Sequence, residues 1–299
     1  PGGHRRRHDP TYTMTVLHRP FLLQRDGDRD LHGRWHLPGS EEKGTVLFLH
    51  GYKGYMDWGA WALVGDHFAS QGWRFLRINF SHNGTTPSRP SEFTDLDAFA
   101  SNTYSRELNE ATDVIRALRT PGSTEESQRV ASMPLAVVGH SRGGGIACLA
   151  AAEADKALRE RERAGVDSLV TWAAVADFGS RFPTGEELNN WKAMGRREII
   201  NHRTRQRLHH NWSFHEDFTT NEHRLHIESA VRHYSGRMLV AHSLDDAAVT
   251  VDHAERLSAW RGESDLLLLE QGGHTFGASE AWTAAVLPHA MQTGAQTTL

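Results

Sequence analysis

Residues 135–154, LAVVGHSRGGGIACLAAAEA, change from strand to helix within a few positions. The first five side chains are small or aliphatic, the pattern of a strand covered on both faces. From Gly144 onward the alanine-rich run favours helix. Between them stands Gly139-His140-Ser141-Arg142-Gly143, a serine with a glycine two residues to either side. So abrupt a turn forces the serine toward a strained backbone conformation and lifts its hydroxyl above the sheet. The glycines remove side chains that would collide across the turn. The helix behind directs its free N–H groups at the same point, favouring negative charge that develops there. The G-x-S-x-G pattern alone arises by chance in roughly one 300-residue chain in ten. A strand before it and a helix after it give it meaning, against the alternative of a serine capping a helix in a glycine-rich turn.

Strand-like runs alternate with helical patterns along the rest of the chain, which predicts an α/β fold with a mostly parallel central sheet flanked by helices. FLLQRDGDRDLHGRWHL opens as a hairpin with Asp26-Gly27 at its turn. Further strands are expected at 45–50, 73–80, 168–178, 237–243 and 265–270. Helices are expected through AWALVGDHFASQG, SRELNEATDVIRALR and EAWTAAVLPHAM. Residues 179–235 break the alternation: they are polar, rich in Arg, His and Trp, and only weakly helical in period. They read as an insertion in one domain spanning 14–299, beside the carboxyl ends of the strands, where open α/β sheets bind ligands. Residues 1–13 read as a disordered extension or an expression remnant, with Met14 as a natural start.

The chemistry the corner requires can be sought by position. A serine hydroxyl is a poor nucleophile until a base takes its proton, and an acid must orient that base. In a fold of this kind the order is serine, acid, histidine. With 20 histidines, presence alone selects nothing. After the 237–243 strand the chain reads HSLDDAAVT, which offers Asp245 and Asp246 as the acid. After the last strand it reads EQGGHTFG, where His274 has a glycine-rich loop that frees its ring to reach the serine. His253 and His289 fall in helical patterns and read as surface residues. An oxyanion hole needs two backbone donors. The N–H of Arg142 follows the nucleophile, and the loop HGYKGYMDWG supplies a second at Tyr52, where His50-Gly51 lets the backbone approach.

With these pieces in order the chain resembles the α/β-hydrolase superfamily, and within it the dienelactone-hydrolase and prolyl-oligopeptidase-type small esterases. The resemblance runs from about Val46 to the last helix, strongest in LFLHGYKGYMDWG, VVGHSRGGG, AHSLDDAAV and GGHTFG. In such proteins the acid loop reads H-G-x-x-D-x-x-V, and alignment of His242 and Val249 selects Asp246. Ser243 departs from the usual glycine. Dienelactone hydrolases use cysteine where this chain has Ser141, which points toward ordinary esters. The resemblance implies a serine hydrolase acting on carboxylic esters through Ser141, His274 and Asp246. A peptidase or amidase of the same branch, or a ligand-binding homologue with little turnover, are the alternatives. His50, Gly51, Tyr55, Trp58, His140, Trp191 and Trp212 are candidate substrate-binding residues, although the aromatics of the first loop also suit packing. The insertion suggests a lid shaped by Trp191, Arg203 and Trp212. His82 and Asn83 suggest either substrate contact or an Asn-Gly turn.

Composition narrows the partners. The 33 basic and 37 acidic residues leave a formal net charge of −4, which offers no general attraction to nucleic acid. No apolar run approaches the roughly 20 residues of a membrane span. The single cysteine, Cys148, sits in the alanine-rich run as a small core residue and suits a reducing, cytoplasmic setting. A small-molecule ester is the expected partner. No cofactor is expected, since the insertion histidines (His202, His209, His210, His215) lack metal-ligand spacing and the mechanism needs no metal. The oligomeric state is left open.

Overall fold

Continuous aliphatic and aromatic runs are buried on both faces only in the middle of a sheet. That is where they lie in the computed structural model, which describes residues 16–39, 41–161, 165–202 and 204–277. The strands β1 (Leu17–Leu23) and β2 (Leu31–Leu37) form the expected hairpin with Leu23 opposite Leu31, and Gly27 at its turn takes a φ of 74°. Next come β3 (Gly44–Leu49), β4 (Trp73–Asn79), β5 (Leu135–His140) and β6 (Ser168–Trp172), buried along their whole length. Two short strands, β7 (Arg196–Ile200) and β8 (Arg207–Asn211), make a separate antiparallel ribbon. β9 (Arg237–Ser243) and β10 (Asp265–Leu269) complete an eight-stranded sheet of order β1-β2-β4-β3-β5-β6-β9-β10. The hairpin and the β2–β4 pair are antiparallel; the other pairs in this sheet are parallel.

Among the described residues nine α-helices accompany the strands: α1 (Trp61–Ser70), α2 (Leu96–Ala100), α3 (Tyr104–Arg119), α4 (Ser127–Val130), α5 (Arg142–Arg159), α6 (Gly185–Met194), α7 (Ser213–Thr220), α8 (Ile227–His233) and α9 (Asp252–Arg261). Strand alternation sends neighbouring residues to opposite cores. Leu47 and Leu49 join Leu108, Ile115 and Ile146 of α3 and α5, while Val46 and Phe48 join Trp61, Val64 and Phe68 of α1. Each such side chain contributes about 1.5–3 kcal/mol when fully buried. The start of α3 is set by Thr103, whose side chain accepts the N–H of Arg106.

The strand expected over 168–178 stops at Trp172. Ala173 adopts a φ of 48°, and the chain bends so that Val175 N–H reaches the carbonyl of Ser141 at 3.0 Å. The stretch read as weakly helical contains the β7–β8 ribbon, which its sequence (RREII, RLHHN) conceals because charged and imidazole side chains occupy its partly exposed faces. His253 is not a surface residue: it is buried on α9, and its Nδ1 accepts the N–H of Ala176 at 3.0 Å. The expected helix EAWTAAVLPHAM, His289, Arg203 and residues 1–13 lie outside the described residues. Among those described, no helix is long and apolar enough to cross a membrane.

Candidate active site

Ser141 occupies the corner between β5 and α5 with φ 57° and ψ −121°, a conformation that costs about 1–3 kcal/mol for a residue with a Cβ. Its backbone is pinned accordingly. The N–H donates to the carbonyl of Trp172 at 2.9 Å, and its own carbonyl accepts from Gly144 at 3.0 Å and Val175 at 3.0 Å. A Cβ on Gly139 would strike the carbonyl oxygen of Gly143, and one on Gly143 would strike those of Leu49 and His50. Gly144 and Gly145 have a different task. Side chains there would meet the Cβ of Ala174 and the ring of Phe178, so they let α5 settle onto the loop after β6.

His274 stands over the corner. Its Nε2 lies 2.9 Å from Ser141 Oγ and its Nδ1 lies 2.8 Å from Asp246 Oδ2. Asp246 is buried, and its Oδ1 accepts the N–H groups of Ala248 at 2.8 Å and Val249 at 3.0 Å. Burial alone would raise the pKa of this carboxyl. Hydrogen bonds from His274 and from the two backbone N–H groups outweigh that and hold it below the ordinary value. An ionised carboxylate only accepts, so the proton of neutral His274 sits on Nδ1 and Nε2 is free to accept from Ser141.

The neighbouring Asp245 holds the loop rather than the ring. Its Oδ1 accepts from Gly272 N–H at 3.1 Å, Gly273 N–H at 2.8 Å and Ser243 Oγ at 2.5 Å. Ser243, in place of the usual glycine, thus braces the acid loop against the histidine loop. His140 braces it from the other side, donating from Nε2 to the carbonyl of His274 at 2.7 Å. Burial lowers the pKa of His140 to about 3, so the ring is neutral.

Arg142 begins α5, and among the described residues no acceptor takes its backbone N–H or that of Tyr52. Gly51 keeps this approach open, since a Cβ there would come within 2.9 Å of Ser141 Cβ. Ser141, Tyr52 and His274 are shared by two cavities. One, of about 390 Å³, is walled by aromatic side chains that include Tyr104, Phe178, Trp191 and Phe214, together with Ile199 and His210 of the ribbon. The other, of about 330 Å³, is bounded by Gly51, Trp58, Trp61 and His140.

Four expected binding residues are placed elsewhere or otherwise employed. His50 is buried, donates from Nδ1 to the carbonyl of Gly51 at 2.9 Å, accepts from Phe80 N–H at 3.3 Å, and lines neither cavity. Tyr55 packs edge-on to Phe93 and Trp212 stacks on His215, also away from both cavities. Asn83 belongs to its turn, its Oδ1 accepting from Thr85 N–H at 2.9 Å.

The residues that sequence reasoning missed lie behind Arg142. Its guanidinium is buried, sits 4.0 Å from the centroid of the Tyr52 ring, and donates to Oε1 of buried Glu107 at 3.3 Å. Burial drives the Glu107 pKa upward. Glu107 falls on the same helical face as Tyr104, Leu108 and Ala111, and a carboxylate on an apolar stripe was the legible signal. Tyr52 OH and His210 Nε2 lie 2.9 Å apart, and Trp191 Nε1 donates to the His210 carbonyl at 3.0 Å.

Among the described residues one group has metal-ligand spacing: His18, His36 and Asp66. Its hydrogen bonding opposes a metal. Arg77 Nε donates to His36 Nε2 at 2.8 Å, so the proton of neutral His36 lies on Nδ1 and points at Asp66 Oδ1, 2.7 Å away. The lone pair a metal would need is on the wrong nitrogen.

A family model described as the alpha/beta hydrolase fold matches residues 44–248. No curated protein matches the chain in sequence. Among solved structures, Est1E from Butyrivibrio proteoclasticus is similar with a TM-score of 0.63 and 18% identity, over 92% of this chain and 99% of its own. Alpha/beta hydrolase domain-containing protein 10 from mouse is similar with a TM-score of 0.61 and 19% identity, over 93% and 98%. Dienelactone hydrolase from Anabaena variabilis is similar with a TM-score of 0.60 and 16% identity, over 94% and 96%. At these identities the likeness is one of fold.

Proposed function

This chain belongs to the α/β-hydrolase family, and from that premise we propose that it is a serine hydrolase cleaving carboxylic esters through an acyl-enzyme. The observation that carries the reading is the unbroken run of hydrogen bonds from Ser141 Oγ through His274 to Asp246. Ser141 Oγ attacks the ester carbonyl while Nε2 of His274 takes its proton. Asp246 keeps the imidazole in the accepting tautomer and stabilises the imidazolium that forms. The N–H groups of Tyr52 and Arg142 hold the oxyanion, and losing one such donor lowers a rate by roughly 10²–10³. His274 then returns its proton to the departing alcohol. Water, activated by the same nitrogen, releases the acid. Cys148 takes no part: it is buried, and burial pushes its thiol up to about 12.

A fluorophosphonate probe tests the assignment. The protein should be labelled and Ser141→Ala should not; labelling of the variant to the same extent would remove Ser141 from its role. Matched 4-nitrophenyl esters and 4-nitroanilides then separate esterase from amidase action, with turnover expected on the esters.

A further inference from the structure

The 390 Å³ cavity is aromatic, yet it is not neutral. Arg142, Arg181 and Arg197 line it, and no aspartate or glutamate does among the described residues. The three come from separate segments: the start of α5, the turn after β6 and strand β7. Two have carboxylate partners outside the cavity lining. Glu107 takes one N–H of Arg142 at 3.3 Å, and Glu187 faces Nη2 of Arg197 at 2.6 Å. Arg181 has a backbone partner, the carbonyl of Ala248 at 3.1 Å, and forms no ion pair among the described residues. The buried ring of His210 closes the wall between them, stacked on Phe214 with its Nε2 2.9 Å from Tyr52 OH. A guest in this chamber therefore meets a lining that carries three guanidinium side chains and no carboxylate, with Ser141 and His274 on the same wall.

Resting on the hydrolase reading above, we infer that the substrate is an ester bearing a carboxylate, which docks on the guanidiniums of this cavity while the ester group lies at Ser141. A neutral acyl or alcohol group would leave Arg181 without an anion, whereas a carboxylate accepts from it in the charge-assisted geometry Arg favours. Arg181 is exposed at the rim of the cavity, so its contact with the carboxylate is open to screening by salt.

Two substrate pairs test the inference and tell the acyl side from the alcohol side. Mono-4-nitrophenyl glutarate against its methyl ester puts the charge on the acyl group. 4-Acetoxybenzoate against its methyl ester puts it on the alcohol. In one pair kcat/KM should favour the charged member by about 10- to 100-fold, and the ratio should shrink in high salt. Arg181→Gln should lower that ratio about two- to fivefold, and Arg181→Lys should recover part of it. The inference is overturned if neither pair favours its charged member, or if Arg181→Gln moves both members equally. Should the probe label Ser141 and the neutral esters turn over without charge preference, only the carboxylate fails. Should Ser141 resist labelling, the hydrolase reading fails and this inference with it.

Discussion

On the proposed mechanism, Asp246→Asn isolates what the acid does, because the surrounding backbone dictates how the new amide must sit. In the native structure Oδ1 accepts two N–H groups, from Ala248 and Val249, while Oδ2 faces His274 Nδ1. An asparagine oxygen has to take the Oδ1 place. The flipped amide would point NH₂ at two backbone donors and leave both unsatisfied, at about 1–3 kcal/mol each. So the NH₂ group faces His274 and donates to Nδ1. The imidazole proton then moves to Nε2, where it points at Ser141 and cannot accept from it. The substitution is nearly isosteric, yet it should remove the proposed general base by tautomer alone. The same swap in a serine protease lowers kcat about 10⁴-fold, equivalent to about 5 kcal/mol of barrier. Initial rates on 4-nitrophenyl butyrate at neutral pH measure the effect, with a melting curve to confirm that the fold is kept. A folded variant within about tenfold of the parent rate would refute the tautomer argument.

Two further outcomes concern stability. Gly139→Ala places a Cβ against the Gly143 carbonyl and 2.6 Å from Gly144 Cα, helix backbone that has nowhere to retreat. It should cost about 1–3 kcal/mol or more and lower Tm by several degrees in a thermal melt; an unchanged Tm would contradict the packing. Glu110 is fully buried, and burial, the leading cause, raises its pKa from 4.5 to about 7. The folded state therefore holds a proton that the unfolded state releases between those values, so this group's contribution falls as pH rises from about 4.5 to 7, by up to about 3 kcal/mol. His36, His50 and His82, each lowered to about 4 by burial first, act in the opposite sense as pH falls below 6.5. The test is accordingly a difference. Relative to the parent in urea unfolding, Glu110→Gln should gain stability across that window, and a flat difference would remove Glu110 from the account.

How much of this was legible in the residues follows from the range of each cause. The corner at Ser141 is a local matter: a strand, a turn too tight for side chains at Gly139 and Gly143, and a helix, all within twenty positions. Short-range sterics and hydrophobic period settle such features, so the α/β layering, the hairpin at Asp26-Gly27 and most strand bounds could be read from the chain. The acid was narrowed to two neighbours by position and to Asp246 by resemblance. What separates the pair physically is which carboxylate faces the ring and which ties down Gly272 and Gly273, and that depends on how two distant loops meet. The cavity walls were less legible still. His50, Tyr55 and Trp212 carry the right chemistry in plausible places, but Phe80 and Phe93, distant in sequence, engage the first two, and Trp212 stacks on its near neighbour His215, away from the cavities. The contact of Tyr52 with His210 and the burial of Arg142 against Glu107 arise only when segments far apart in sequence close over one another. Local periodicity determines where a nucleophile can stand; long-range packing decides what it faces.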